Sequence, residues 1–170
     1  DDRFSNFEIK IMIISPDIFF KKTVLVYGLG KSGISTYQFL KDKSNIFVYD
    51  DFSLNIIKDK KLKKKIISKK KILNFNFDKI ILSPGIDINK CNLSKFLKKN
   101  KKKIYSDLDI FYAFYKNVSF TITGTNGKST TCQLLYKVLL NQKFDVRLVG
   151  NIGNPILSTK KVTKNSIFII

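Results

Sequence analysis

The chain has 170 residues, 44% of them hydrophobic, which is enough for a full domain with a buried core and excludes a disordered polypeptide. Its net charge is +19, yet of the 32 basic residues only Arg3 and Arg147 are arginine. With no His, and with Cys91 and Cys132 forty-one positions apart, the composition excludes an imidazole base, a zinc-ligand spacing and a disulfide framework, leaving a reducing cytosol as the default compartment.

The chain opens on Asp1 and its only Met is Met12, so residues 1–11 read as extraneous upstream sequence and 1–20 as an extension of uncertain status. Residues 9–14 are too short for a signal-peptide core, and no run of about 18 apolar residues predicts a membrane span. Residues 23–27 (TVLVY) form a short apolar run ending in Gly, as a buried parallel strand does. A helix is predicted over 31–43, a strand over 46–49 ending at Asp50, and a short helix over 53–60 with Ser53 as cap. Further strands are expected at 65–68 and at 79–82 (KIIL), the latter stopped by Ser83-Pro84-Gly85. A helix over 93–100, a short strand over 103–105 and a helix over 107–115 complete a first unit, 21–116. A second unit, 117–170, starts with a strand at 118–123, a turn at 124–127 and a long helix at 128–140. Strands at 146–149 and 166–170 follow. Alternating strands and helices predict an α/β fold with parallel sheets and right-handed crossovers.

Two glycine-rich turns carry the chemistry. Gly28-Leu-Gly30-Lys-Ser-Gly33 follows a strand and opens a helix, the context of a dinucleotide-binding turn. Gly28 permits the turn, Gly30 lets a phosphate approach the backbone, and Gly33 allows close helix–strand packing. The helix N-terminus offers free N–H groups to an anion. Asp50 stands twenty positions after Gly30, where an acidic residue contacts the ribose of NAD. Read without a ligand, the same pattern is a tight strand–helix turn. The second turn is Thr123-Gly-Thr-Asn-Gly-Lys-Ser-Thr130, a phosphate loop in its physics although position 122 is Ile rather than the usual leading Gly. Its amides can cradle phosphates, Lys128 can neutralise charge on the terminal phosphates, and Ser129 can ligate Mg²⁺. Two phosphate loops in one short chain argue against a simple dehydrogenase. They point to a nucleotide-linked substrate in the first unit and ATP in the second.

The lysine runs 58–71 and 98–103 read as solvated faces. Nucleic-acid readers use Arg and interleaved aromatics, so no nucleic-acid partner is expected. Lys, Ile, Asn and Phe are abundant together, the bias of an AT-rich coding sequence. Cys132 reads as packing on the helix after the second turn.

Four ordered motifs resemble the Mur ligases of peptidoglycan synthesis over roughly residues 21–170. They are Tyr27-Gly-Leu-Gly-Lys-Ser-Gly33, Ser83-Pro-Gly-Ile86, the Thr123 to Thr130 turn and Gly150-Asn-Ile-Gly153. The third is shared with folylpolyglutamate synthetases, and Asn126 favours the glutamate-adding over the alanine-adding members. The resemblance implies a Rossmann-like UDP-substrate domain over 21–116, followed by the truncated start of a P-loop ATPase α/β domain. It implies that Gly28, Gly30, Ser32 and Gly33 hold the UDP diphosphate and that Asp50 faces the uracil. Phe52 replaces an Arg often found there. Ser83, Pro84 and Gly85 would line the UDP pocket, and Asn151 would contact the muramoyl part. Thr125, Asn126, Gly127, Lys128, Ser129 and Thr130 would hold ATP, with Ser129 a partial Mg²⁺ site and Lys128 the catalytic cation.

The implied reaction joins D-glutamate to UDP-N-acetylmuramoyl-L-alanine through an acyl phosphate, in the cytoplasm and by a monomer. The family's remaining Mg²⁺ ligand and its D-glutamate site would lie beyond Ile170, so the chain is expected to be inactive alone and to expose an apolar face. A dinucleotide-binding regulatory domain is the alternative, and it leaves the second turn unexplained.

Overall fold

The structure, a computed structural model, describes residues 14–52 and 59–170. The first sheet is built from β1 (Thr23–Tyr27), β2 (Asn45–Tyr49), β3 (Lys79–Leu82) and β4 (Ile104–Tyr105), all parallel, in the order β2-β1-β3-β4. β1 is buried from Val24 to Tyr27 because it sits between two strands and under helices on both faces. α1 (Lys31–Leu40) follows β1, and α5 (Asp107–Phe114) follows β4. Between them lie α2 (Lys60–Lys63), α3 (Lys69–Leu73) and α4 (Ser94–Lys99). The order reverses at β1: its neighbours β2 and β3 both follow it in the chain but lie on opposite sides of it in the sheet. Such a switch point opens a crevice at the C-terminal ends of the strands, where the 28–33 turn emerges.

The second sheet joins β5 (Ser119–Phe120), β6 (Val146–Leu148) and β7 (Ile167–Ile169) in parallel, in the order β5-β7-β6. α6 (Lys128–Asn141) connects β5 to β6. One cluster of buried residues crosses the predicted boundary at 116/117. Val24, Val26, Ile110 and Phe111 of the first unit pack with Val149, Ile156, Leu157 and Phe168 of the second. The Phe111 and Phe168 rings meet edge to face at 4.7 Å between centroids. The two units are therefore fixed to each other by shared apolar burial rather than by a loose linker.

Several boundaries differ from the sequence expectation. The first helix ends at Leu40, three residues early, and Lys41 caps it. The strand expected at 65–68 is only a bridge between Val48 and Ile66. Residues 53–58 of the helix expected at 53–60 lie outside the described residues. Ser53, expected to cap that helix, lies there too; α2 is capped by Asp59, which accepts the amides of Lys61 and Leu62. The strand expected at 118–123 shortens to Ser119–Phe120. α3, capped by Ser68, and the turn Ile156–Ser158 had no periodic signal to reveal them. Ile14, Ile18 and Phe19 of the stretch before β1 pack into the first core, Phe19 fully buried against Tyr105 and Phe114. In the second unit, Leu134 is 63% exposed, with Val138, Leu140 and Phe144 about half exposed.

Candidate functional site

The first turn is locked by contacts that only glycine permits. Gly28 adopts φ +96°, and its carbonyl accepts the Ser83 hydroxyl at 2.8 Å. A Cβ on Gly33 would lie 1.7 Å from the Gly28 carbonyl oxygen, so helix and turn touch with no room for a side chain. Gly30 differs: it caps α1, is exposed, and a Cβ there would meet nothing within 4 Å. The open space over Gly30 and the free first-turn amides of α1 are what a phosphate would use.

Asp50 is turned inward. Its carboxylate accepts the Leu29 amide at 2.6 Å and the Phe52 amide at 2.8 Å, and the residue is only 8% exposed. In this structure it braces the glycine turn from the end of β2. Phe52 itself is 90% exposed. Ser83, Pro84 and Gly85 form the turn after β3, closed by the Ile86 amide on the Ser83 carbonyl at 3.0 Å.

The second turn has Gly124 at φ +146° and Gly127 at φ +75°, the latter capping α6 without any side-chain acceptor. A 14-residue helix therefore presents its bare first amides and partial positive charge at Lys128, Ser129 and Thr130. The Lys128 ammonium folds back to donate to the carbonyls of Gly124 and Thr125. It is held by loop acceptors and, among the described residues, paired with no carboxylate, so it is available to an anion entering the turn. Thr125, Asn126, Ser129 and Thr130 are exposed around it.

Both turns open on one cleft of about 400 Å³. Ser32 and Pro84 reach it from the first unit, and Lys128, Ser129 and Asn151 from the second. Gly28, Gly30, Gly33, Asp50, Ser83, Gly85, Thr125, Asn126, Gly127 and Thr130 are not among the residues that line it. Three helices, α1, α5 and α6, start at this cleft, at Ser32, Asp107 and Lys128. Their N-terminal dipoles all favour negative charge there. Asn151 is carried by the 150–153 turn, closed by the Gly150 amide on the Asn154 carbonyl at 2.9 Å. Gly153 is required in that turn, since a Cβ would lie 2.4 Å from the Leu148 carbonyl.

Sequence reasoning missed Asp107. It is 7% exposed, lines the cleft and sits at the first position of α5. Its carboxylate accepts the Leu108 amide at 3.0 Å. Burial raises its pKa above the ordinary carboxylate range, while hydrogen bonding from the Ser32 side chain pulls the other way. The Ser106–Asp109 capping box was readable as a helix start, but nothing local shows that the helix points at the cleft. Among the described residues no group of three or more His, Cys, Asp or Glu could hold a metal, and no helix is long and apolar enough to cross a membrane.

Comparison with known proteins bears on this cleft from both sides. Residues 22–104 match the family described as Mur ligase MurD-like, N-terminal domain, and residues 122–169 match the Mur ligase middle domain. The UDP-N-acetylmuramoylalanine–D-glutamate ligase of Rickettsia bellii is 41% identical over 143 residues, covering 82% of this chain and 32% of that protein. The protein of the same name from Rickettsia felis is 38% identical over the same span. That of a Thermoanaerobacter species is 33% identical over 158 residues, covering 88% of this chain and 34% of its own length. The chain thus spans about a third of the length of the curated relatives it matches.

Proposed function

The chain belongs to the Mur ligase family, and from that premise we propose that it carries the UDP-substrate and ATP sites of a D-glutamate-adding ligase of peptidoglycan synthesis. The observation that carries the reading is the single cleft shared by two glycine turns. A nucleotide-linked acid held by one turn meets the phosphates held by the other. That juxtaposition suits an enzyme that activates a carboxylate with ATP, and a lone dinucleotide sensor has no use for it.

The residues fit the groups assigned to them. The open space over Gly30 admits a diphosphate oxygen, with the α1 amides beneath it. The uncapped N-terminus of α6 and the Lys128 ammonium fit the phosphates of ATP, and the Ser129 hydroxyl at the cleft fits an Mg²⁺ ligand. When bound, ATP would supply the phosphoryl group that turns the muramoyl-L-alanine carboxylate into an acyl phosphate with release of ADP, and the amine of D-glutamate would then attack the acyl carbon, forming the amide and releasing inorganic phosphate. Lys128 offsets the charge on the phosphates, the α6 amides orient them, and Asn151 steers the acid toward them. Asp50 braces the first turn from behind while Ser32 faces the substrate side of the cleft.

Calorimetric titration of this 170-residue chain tests the reading. UDP-N-acetylmuramoyl-L-alanine should bind, Gly30→Ala should abolish that binding, and ATP with Mg²⁺ should bind separately through Lys128. Tight NAD binding with no UDP-sugar binding would favour the regulatory-domain alternative instead.

A further inference from the structure

Two carboxylates are buried among the described residues, Asp50 and Asp107. Asp50 has a framework task, since it accepts the amides of Leu29 and Phe52. Asp107 has none of that kind. Its Oδ1 accepts the adjacent Leu108 amide at 3.0 Å, and the start of α5 is already capped by Ser106 and Asp109, each side chain accepting the other's amide. Asp107 forms no ion pair among the described residues. A carboxylate only 7% exposed thus stands in the wall of a cleft whose helix ends and Lys128 favour anions.

The charged groups around it leave it uncompensated. Asp109, two positions on, adds like charge and works with burial against ionisation. Lys128 is the other charged side chain lining the cleft, and its ammonium is turned onto the carbonyls of Gly124 and Thr125. Lys31, next to Ser32, lines a different groove. The second unit brings uncharged Asn151, Ile152 and Ile156 to the cleft. Ser32 is the group that Asp107 does reach, through a side-chain hydrogen bond. A hydroxyl has one proton. While Asp107 is ionised it accepts that proton, and Ser32 turns only lone pairs to the cleft, the wrong sign for a phosphate. A neutral Asp107 reverses the bond, and the Ser32 proton becomes free for an anion. Burial favours the neutral form, as in other carboxylic acids that serve as donors in apolar sites. A divalent cation would also cancel the charge, but among the described residues no group of three or more His, Cys, Asp or Glu is there to hold one.

We propose that Asp107 is a positioning residue for the diphosphate of the UDP-substrate: taking up one proton as that ligand binds, it donates to Ser32 Oγ and turns the Ser32 hydroxyl proton onto a diphosphate oxygen. The proton comes from solvent and returns to it on release. The inference rests on the assignment of the first turn to the UDP-substrate.

Calorimetric titration of UDP-N-acetylmuramoyl-L-alanine into the 170-residue chain counts the protons. It is run without Mg²⁺ from about pH 5 to about pH 8, in paired buffers of different ionisation enthalpy. The chain has no His, and the ligand's diphosphate is a diester with no proton to exchange near neutrality. Uptake should approach one proton per ligand at the upper end of the range, where affinity should fall by up to about tenfold per pH unit. Asp107→Asn cannot ionise but can still donate from its amide. It should show no uptake and a flat affinity, and should bind about tenfold tighter than the parent at the upper end. In a Ser32→Ala background that gain should shrink severalfold, because it passes through the hydroxyl. Should Asp107→Asn fail to fold, the parent's proton count decides alone. Binding without uptake, uptake that persists in Asp107→Asn, or an undiminished gain in the Ser32→Ala background would each overturn the inference, the last by showing charge repulsion alone. A parent affinity raised by added Mg²⁺, with that rise lost in Asp107→Asn, would overturn it in favour of a cation. No binding at any pH would overturn the reading of the first turn as well.

Discussion

Replacing the two glycines at the mouth of α1 by alanine separates folding from ligand binding. At Gly33 the new Cβ would fall 1.7 Å from the Gly28 carbonyl oxygen, 2.8 Å from its carbon and 2.9 Å from Ser83 Oγ. The first two neighbours are backbone and cannot rotate away. Restoring contact to about 3.2 Å needs a relative shift of roughly 1.5 Å between α1 and the turn, an overpacking cost of about 3 kcal/mol. Alanine's better helix propensity returns about 1 kcal/mol. The net loss of about 2 kcal/mol should lower the melting temperature by roughly 4–8 °C for a chain of this size. The same shift displaces the phosphate cradle, and misplacement by about 1 Å suffices for a hundredfold loss where geometry matters. At Gly30 the Cβ meets nothing, and its backbone lies at φ −68°, which alanine adopts freely. Its weaker capping and its smaller unfolded-state entropy each amount to about 0.5 kcal/mol and oppose one another. Gly30→Ala should therefore melt within about 2 °C of the parent yet lose UDP-substrate binding, because the methyl group fills the space the diphosphate needs. Circular dichroism melts and calorimetric titration read both quantities. A Gly33→Ala chain that melts and binds like the parent, or a Gly30→Ala chain with undiminished affinity, refutes the assignment of these two roles.

Lys128→Ala should weaken ATP binding at least tenfold and leave UDP-substrate affinity and melting temperature unchanged, since the ammonium touches only the carbonyls of Gly124 and Thr125; titration of both ligands checks it. Asp107 has its pKa raised by burial, so the folded chain holds that proton more tightly than the unfolded chain. Its charge therefore destabilises the fold above the raised pKa, and the penalty disappears as pH falls through that value toward the ordinary carboxylate range. Asp107→Asn should raise the melting temperature at neutral pH, with the difference shrinking on acidification; a pH-independent difference contradicts burial as the cause. Phe168→Ala removes a fully buried ring shared by both units and should cost about 3–5 kcal/mol. Denaturant unfolding of the parent should be a single transition and the variant should shift all of it; a shift in one of two separate transitions would show that the units do not share a core.

Much of the scaffold was legible because its signals are local. The runs TVLVY and KIIL appear as β1 and β3 at the expected residues, since a strand buried on both faces must be continuously apolar. The glycine turns were legible because positive φ at Gly28, Gly124 and Gly127 and close contact at Gly33 leave few alternatives to glycine. The lysine-rich stretch was not: α3 buries only Ile72, and its cap at Ser68 is one residue among many polar ones. The strand expected at 65–68 reduced to a bridge because it pairs at the edge of the sheet, with only Val48 to meet it.

Residue order alone determined two glycine turns, the strands that present them and the family to which they belong, because backbone conformation at a glycine turn depends on neighbours in the chain. Only the tertiary structure decided that both turns face one cleft, that Asp50 braces a turn from behind, and that a buried Asp107 stands in the cleft wall. Those outcomes depend on which strands pair and which helices share a core, contacts between residues far apart in sequence that no local pattern encodes.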